Sequence, residues 1–482
     1  MTRGHVFVVH GDLTQLACDD VVVPTDSAGQ VSPNWHRLVP RDREPWGEGI
    51  WPLDAGSGSP WAASSYTAAV RDVLDAVAAD QRGRPPRRGR SRHLTAVPLV
   101  GAGRGDAGSR RGDVIAAVLE VLEAHADAGH DVALVLRSAR DHAAAQHVRR
   151  GRSQHRLTPA EVATAEDLAQ RARVNELALF LGAGVSMSAG LPSWSMLLDQ
   201  LARRAEIPAA DVAELRLLPA QDAAMLIERL LREPLEDALA AVLSTHRYGL
   251  SHALLAALPM WEAATTNYDD LFERALAAVG RAPAVLPFEP VRADRPYLLK
   301  LHGDLARRRN VVLTRDHYLR FEGAQGALAG VVQGLLMTRH VLFAGFSLAD
   351  ENFLHLADEV RRVREDDRVL GTALALLDEP LRRRMWEGEL RYQAFAERPD
   401  DPARTDAVVA DAARRMEIFL DLVAHHATDD ASFLLDDRYQ HLLTPDERAF
   451  TGAVTKLRDF PSPGSVAGRR VEALLHELGM RP

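Results

Sequence analysis

Leu177-Ala-Leu-Phe-Leu-Gly-Ala-Gly-Val-Ser-Met-Ser-Ala-Gly-Leu-Pro-Ser-Trp194 is the stretch whose reading decides the fold. Its five leading apolar residues predict a buried strand, Gly182-Ala183-Gly184 a tight turn, and the residues after them the start of a helix. A glycine turn between strand and helix can bring backbone N–H groups and a helix N-terminus up to a pyrophosphate. Taken alone, the turn is equally well an ordinary strand-to-helix connection. Three motifs further along the chain add weight: Ala264-Thr-Thr-Asn-Tyr-Asp269, Leu299-Lys-Leu-His-Gly-Asp304 and Leu342-Phe-Ala-Gly-Phe-Ser347, each at the end of an apolar strand pattern. Ligands of open α/β sheets collect at the carboxyl ends of strands, so the motifs belong to one site.

The chain around them is 482 residues long, 46% hydrophobic and 26% charged, which predicts a packed globular protein of two to four domains. A net charge of −9 speaks against bulk electrostatic binding to nucleic acid or membranes. Cys18 is the one cysteine, which excludes an intramolecular disulfide and any Cys-rich zinc site and fits a reducing, cytoplasmic location. The apolar N-terminal run turns polar at His10, too early for a signal peptide, and no apolar run is long enough to span a bilayer. No metal is expected.

Apolar runs at 5–9, 20–24, 94–99 and 132–136 predict buried strands, with an amphipathic helix over Gly112–Gly129, so residues 1–150 read as an α/β domain. Val31–Ser64 is expected to be irregular. Gln81–His93, with Arg82, Arg84, Arg87, Arg88, Arg90 and Arg92, reads as a solvated loop. Its arginines could instead contact phosphates with a steep salt dependence, but the overall charge favours the solvated loop. Residues 151–173 form a connector with a helix capped at Thr158. Residues 174–380 alternate strands and helices, the pattern of a parallel sheet covered on both faces. Beyond residue 381 the strands are expected to disappear, leaving helices at Arg382–Phe395, Ala403–His426, Thr444–Lys456 and Val466–Gly479.

Each motif residue has its own chemistry. Gly182 and Gly184 would let the backbone approach a diphosphate without a Cβ clash, with Ala183 and Ser186 in the same loop. Asn267 can hold a water or a ribose hydroxyl through its two-sided amide, next to Thr266. Asp269 could bind a ribose hydroxyl, orient Asn267 or cap the following helix. His302 is the type of side chain that moves protons near neutrality, and its place in Lys-Leu-His-Gly singles it out among nineteen histidines. Gly345 and Ser347 sit at another strand end. Asp378, closing Ala373–Leu377, could accept from adenosine ribose hydroxyls or be a surface turn residue.

As a set these motifs resemble the sirtuin fold, specifically the sirtuin-like NADase domains of bacterial antiphage defence proteins. The resemblance covers roughly 174–380. It implies a Rossmann-like parallel sheet, NAD as substrate, Gly182–Ser186 as phosphate loop, Thr266–Asp269 as the Asn-x-Asp element, Leu301–Asp304 as the catalytic histidine motif and Gly345–Ser347 as second nucleotide loop. It further implies Asn267, His302 and Asp269 in catalysis. Deacetylating sirtuins carry a four-cysteine zinc module after the histidine, which this chain cannot build. After Pro192 it reads Ser-Trp-Ser where deacetylases carry an acidic residue, Phe and Arg. The implied reaction is hydrolysis of the nicotinamide–ribose bond. A deacylase or ADP-ribosyltransferase, and a non-catalytic NAD-binding scaffold, are the alternatives.

His10-Gly-Asp-Leu-Thr14, Cys18–Pro24 and Pro98-Leu-Val-Gly-Ala-Gly-Arg-Gly105 resemble a macro domain, a three-layer α/β module that binds ADP-ribose. The resemblance implies Asp12 at the adenine and Gly101, Gly103 and Gly105 around a diphosphate. Pro24-Thr-Asp-Ser27 replaces that family's Asn-Ala-Ala-Asn, which favours binding over hydrolysis. The pairing implies a latent effector released by an ADP-ribose-type nucleotide or a phage-derived trigger, in a homo-oligomer.

Overall fold

The computed structural model describes residues 3–26, 28–40, 46–54, 63–99, 110–150, 152, 156–308, 310–365, 368–459 and 464–480. The chain divides into two units: one of residues 1–87, 92–156 and 428–482, the other of 88–91 and 157–427.

The first unit is built on five parallel strands, β1 (Val6–His10), β2 (Asp20–Thr25), β3 (Ile50–Asp54), β4 (Leu94–Pro98) and β5 (Asp131–Leu136), in the order β1-β5-β4-β2-β3. Strand β3 lies inside the stretch expected to be irregular. Its alternation is hidden by Trp51 and Pro52, and it pairs only with β2, at the sheet edge where Pro is tolerated. Helices Ala63–Gln81, Arg111–Asp127 and Ala139–Arg149 follow the strands. The C-terminal segment completes this core: Phe433, Tyr439 and Leu443 pack with Val114, Val118, Leu122 and Ala144. The Tyr439 hydroxyl donates to Asp141 Oδ1 at 2.6 Å, and the Arg111 guanidinium holds both oxygens of the same carboxylate.

The second unit carries seven parallel strands, β6 (Leu177–Leu181), β7 (Glu262–Thr265), β8 (Ala284–Leu286), β9 (Tyr297–Lys300), β10 (His340–Ala344), β11 (Gly371–Leu377) and β12 (Leu390–Ala396), in the order β12-β11-β10-β6-β7-β9-β8. Every residue of β6 and β10 is buried, as expected of central strands covered on both faces. Phe180, Phe343, Phe346 and Phe353 pack together with ring centroids 4.7–6.3 Å apart. Burying a side chain such as Phe353 is worth about 2–3 kcal/mol. The chain runs outward from β6 to β7, β8 and β9, then returns to the other side of β6 as β10. The order therefore reverses between β6 and β10, the place where such sheets open a crevice.

Strand β12 corrects the expectation that strands end at residue 381. Only Pro380–Met385 is helical, and Leu390–Ala396 then pairs in register with β11. The apolar positions of Leu390-Arg-Tyr-Gln-Ala-Phe-Ala396 fit a helix as readily as an edge strand. The vacant β11 edge decides between them.

Helix Thr405–Ala427 packs on helix Pro159–Arg173, whose capping box at Thr158 and Glu161 is formed as expected. Arg415 clamps Glu161 with two bonds of 2.7 Å. Helices Thr444-capped Pro445–Lys456 and Ser465-capped Val466–Glu477 also form. Between the glycine loop and β7, four short helices (Trp194–Arg204, Ala209–Leu215, Ala220–Leu230, Leu235–Val242) gather around Leu201, Ile227 and Leu239.

The arginine-rich stretch is solvated only in part: Arg82 is exposed, as expected, while other arginines are tied to partners. Arg84 bridges Asp20 and Asp80, Arg87 pairs with Glu48, and Arg92 donates to the Gly129 carbonyl at 2.8 Å. Arg90, in the second unit, makes a buried pair with Glu417 at 2.9 Å. The Arg84, Arg90 and Arg92 guanidiniums are held by internal acceptors, whereas the Arg87–Glu48 pair lies at the surface.

Candidate active site

Strand register brings the four motifs together. Ala344 of β10 is level with Leu181 of β6, Leu181 with Thr265 of β7, and Thr265 with Lys300 of β9. With strands about 5 Å apart, the next residues of each chain segment (Gly345, Gly182, Thr266 and Leu301) stand in one row at the carboxyl edge of the sheet.

The glycines in that row face one another. Gly182 N–H donates to the Ala344 carbonyl at 3.0 Å and Gly184 N–H to the Gly345 carbonyl at 2.9 Å. A Cβ on Gly182 would lie 2.5 Å from Gly345 O, one on Gly184 2.7 Å from Gly345 Cα, and one on Gly345 2.3 Å from Val185 N. Gly345 also has φ +62°, a left-handed conformation. The sequence suggests a diphosphate as the reason for glycine here. The structure supplies a second one, close contact of the two loop backbones.

Asn267 and Asp269 emerge from β7 onto the Gly182–Met187 segment. Asn267 Nδ2 donates to the Gly182 carbonyl at 3.0 Å and to Ser186 Oγ at 3.2 Å. Ser186 Oγ donates to Asp269 Oδ2 at 2.9 Å, and the buried His252 ring lies 3.3 Å from the same hydroxyl. Asp269 Oδ1 accepts from Leu271 N at 3.1 Å, so the aspartate both joins this network and holds the first N–H of the next helix, whose N-cap position is Asp270. Asn267 Oδ1 is buried and has no hydrogen-bond partner.

His302 follows β9. Its ring is buried, its Nε2 has no hydrogen-bond partner, and the nearest carboxylate oxygen, Asp350 Oδ1, is 3.7 Å away. Burial pushes the His302 pKa down and Asp350 only partly restores it, so the ring is neutral at pH 7. Asp350 is fixed twice: it accepts from Tyr318 Oη at 2.7 Å and caps helix Glu351–Val363 through Phe353 N at 3.0 Å. Lys300, fully buried, ties the Asn267–Asp269 loop from below. Its ammonium donates to Glu273 Oε1 at 2.8 Å and to the carbonyls of Tyr268 and Asp269, with Asp304 at 3.7 Å. Burial lowers the Lys300 pKa, but Glu273, Asp304 and Asp269 outweigh it and keep the ammonium charged.

Ser186, Asn267, Asp269, His302, Tyr318 and Asp350 line a cavity of about 560 Å³. Of the residues expected at the site, Ala183, Gly184, Ser186, Thr266, Asn267, Asp269, His302, Gly345 and Ser347 reach it. Gly182 supports the loop behind it. Asp378 is not among the lining residues. It is buried beyond β10 and pairs with Arg383 at 3.3 Å. Sequence reading missed Tyr318, Asp350 and the Trp194, Pro219, Gln221 and Leu243 wall. Asp350 stood in view as a helix cap three residues after Ser347. The wall comes from helices whose packing no local pattern reveals.

In the first unit, Asp12 follows β1, but its carboxylate is engaged locally. It accepts from Thr14 N at 3.0 Å, Thr14 Oγ1 at 2.8 Å and Gln15 Nε2 at 3.1 Å. Burial raises its pKa, and these bonds more than reverse that, so the carboxyl lies below its usual range. Gly101, Gly103 and Gly105 lie outside the described residues. Among the described residues no group of three His, Cys, Asp or Glu could hold a metal, and no helix is long and apolar enough to cross a membrane.

Residues 262–394, which carry the Asn267, His302 and Gly345 motifs, match the SIR2-like domain family. NAD(+) hydrolase ThsA of Enterococcus faecium is 30% identical over 200 residues, 40% of this chain and 41% of that protein. The protein of the same name in Bacillus cereus (strain MSX-D12) is 28% identical over 212 residues, 42% of this chain and 44% of the relative. Defense-associated sirtuin 2 of Bacillus subtilis is 24% identical over 224 residues, 42% of this chain and 21% of that protein. The chain spans less than half the length of these curated relatives. It contains a SIR2-like domain, distantly homologous to the ThsA NAD+ hydrolases and to a defence-associated sirtuin.

Proposed function

We propose that the second unit hydrolyses the nicotinamide–ribose bond of NAD+. The observation that carries this reading is a pair of buried polar atoms without hydrogen-bond partners, Asn267 Oδ1 and His302 Nε2, on two residues that line one cavity. A buried polar atom without a partner costs free energy that a bound ligand or water would offset. The leaving group starts as a cationic pyridinium and needs no general acid, while the ribose passes through an oxocarbenium-like state. Asn267 Oδ1 accepts from the attacking water or a ribose hydroxyl. Neutral His302 accepts from the other, with Asp350 near enough to stabilise the imidazolium that forms. Asp269, through Ser186, holds the Asn267 loop. Gly184, Gly345 and Ser347 flank the dinucleotide. Asp378 lies one strand beyond the second nucleotide loop, at the adenosine end in this reading. Rate enhancement comes from positioning and preorganised dipoles.

In this reading the protein is an effector of antiphage defence that depletes NAD+; the names of its relatives, an NAD(+) hydrolase and a defense-associated sirtuin, support it. The first unit, whose Asp12 follows β1 and whose sequence carries the glycine-rich 101–105 stretch, acts as sensor for an ADP-ribose-type nucleotide, and the assembly is a homo-oligomer. The test is nicotinamide release by purified protein with and without ADP-ribose. Asn267→Ala and His302→Ala should each lower turnover at least about 100-fold. Bound but uncleaved NAD+ under every condition, phage extract included, would replace hydrolysis with a scaffold role.

A further inference from the structure

The His252 ring stands outside the cavity, at the start of helix Leu250–Ala256, yet it touches the hydroxyl on which the Asn267 network turns. The proton positions can be worked out bond by bond. Gly249 N–H donates to His252 Nδ1 at 3.2 Å, so Nδ1 is unprotonated and a neutral ring carries its hydrogen on Nε2. Burial holds the ring neutral, its pKa pushed down to about 4 against a partial restoring effect of Asp269. Nε2–H therefore donates to Ser186 Oγ, 3.3 Å away. A hydroxyl has one donor and two acceptor sites. Ser186 receives from His252 and from Asn267 Nδ2, and it gives to Asp269 Oδ2. Each site is used once, and only one arrangement of hydrogens satisfies it.

This arrangement has a consequence at the cavity. With the Ser186 hydrogen committed to Asp269, only a donor can face its remaining lone pair, so Asn267 must present Nδ2 inward. The Gly182 carbonyl at 3.0 Å makes the same demand. Oδ1, which has no partner within the protein, is thereby left as the free acceptor of an amide whose residue lines the cavity.

We propose that His252 is a positioning residue: by donating from Nε2 it locks the Ser186 hydroxyl toward Asp269 and so holds the Asn267 amide with its oxygen free for the attacking water or ribose hydroxyl. The proposal rests on the reading of the cavity as an NAD site. It gives the glycine-loop serine a task other than ligand contact, and it makes the helix that precedes β7 part of the catalytic support.

Two near-isosteric substitutions separate this from a role in capping the helix. His252→Gln keeps a donor where Nε2 stood and loses the Nδ1 acceptor. His252→Asn keeps the acceptor for Gly249 N–H and loses the donor. We expect His252→Gln to retain kcat within about threefold, and His252→Asn to lose about tenfold in kcat with KM little changed, the size of one lost hydrogen bond in the transition state. The reverse order, Asn active and Gln impaired, would reduce His252 to a helix cap. A second readout is independent of turnover: 15N-histidine NMR of the full chain should find the Nε2–H tautomer at His252. An Nδ1–H tautomer overturns the proposal even if NAD+ is cleaved. Absence of cleavage by the wild type, with the Nε2–H tautomer present, counts against the hydrolase reading alone.

Discussion

Replacing Gly345 by alanine tests why glycine stands at the crevice. If its only task were to admit a diphosphate, the ligand-free protein would not register the change. The structure predicts otherwise. The new Cβ would sit 2.3 Å from Val185 N and 2.7 Å from Gly184 C, both backbone atoms that cannot rotate away, at φ +62°. The left-handed conformation costs about 1–2 kcal/mol for a residue with a Cβ, and relieving the overlap about 1–3 kcal/mol. Reduced freedom of the unfolded chain returns about 0.4–1 kcal/mol. The net loss is about 1–5 kcal/mol, a melting-point drop of roughly 2–8 °C for a unit of this size. Gly184→Ala, with the same kind of contact at 2.7 Å and an ordinary φ, should lose less. Gly334→Ala, on helix Phe321–Thr338 with open space at its Cβ, should gain up to about 1 kcal/mol. Differential scanning calorimetry without any nucleotide reads all three. An unchanged melting temperature for Gly345→Ala would refute the loop-contact explanation and return the glycine to the ligand alone.

The acid side of the stability profile should be steep. Burial holds His125, His252 and His340 to about 4, against about 6.5 when unfolded. Below pH 6.5 the unfolded chain takes up protons that the folded one refuses, so stability falls as pH drops from 6.5 toward 4, by up to about 3 kcal/mol per histidine. Thermal unfolding between pH 7 and 5 checks this, and a flat profile would contradict it. Lys300→Met removes the cation from between Glu273 and Asp304 and should cost about 3–5 kcal/mol in denaturant titration. Adding Glu273→Leu should recover part of that loss, whereas strictly additive losses would show that the pair is not coupled.

Much of the site is legible because the chemistry of open sheets is written at strand ends. Leu177–Leu181, Leu342–Ala344 and the residues around Thr265 and Lys300 announce buried strands, and parallel pairing then sets their last residues level. The caps at Thr158 and Thr444 are equally local and equally readable. The features that do not show are decided by distant partners. Leu390–Ala396 becomes a strand because β11 has an open edge. The arginines of 81–93 look solvated because Asp20, Glu48 and Glu417 are far away in sequence. His252 has no motif to mark it and Asp350 shows in the sequence only as a helix cap: the role of one is known by a hydroxyl 66 residues upstream and that of the other by a ring across the crevice.

The return of the C-terminal segment to the first unit also has a meaning in time. A ribosome delivers the chain from its N-terminus, and the strands of the first unit are complete by Leu136. The core they form waits for Phe433, Tyr439 and Leu443, and Asp141 waits for the Tyr439 hydroxyl. At about 5–20 residues per second, that delay is roughly 15–60 s. Meanwhile the whole second unit is made. During translation the first unit is thus an unfinished sheet with an exposed apolar face, the kind of surface chaperones hold, and the last unit to be closed is the one whose strands are made first.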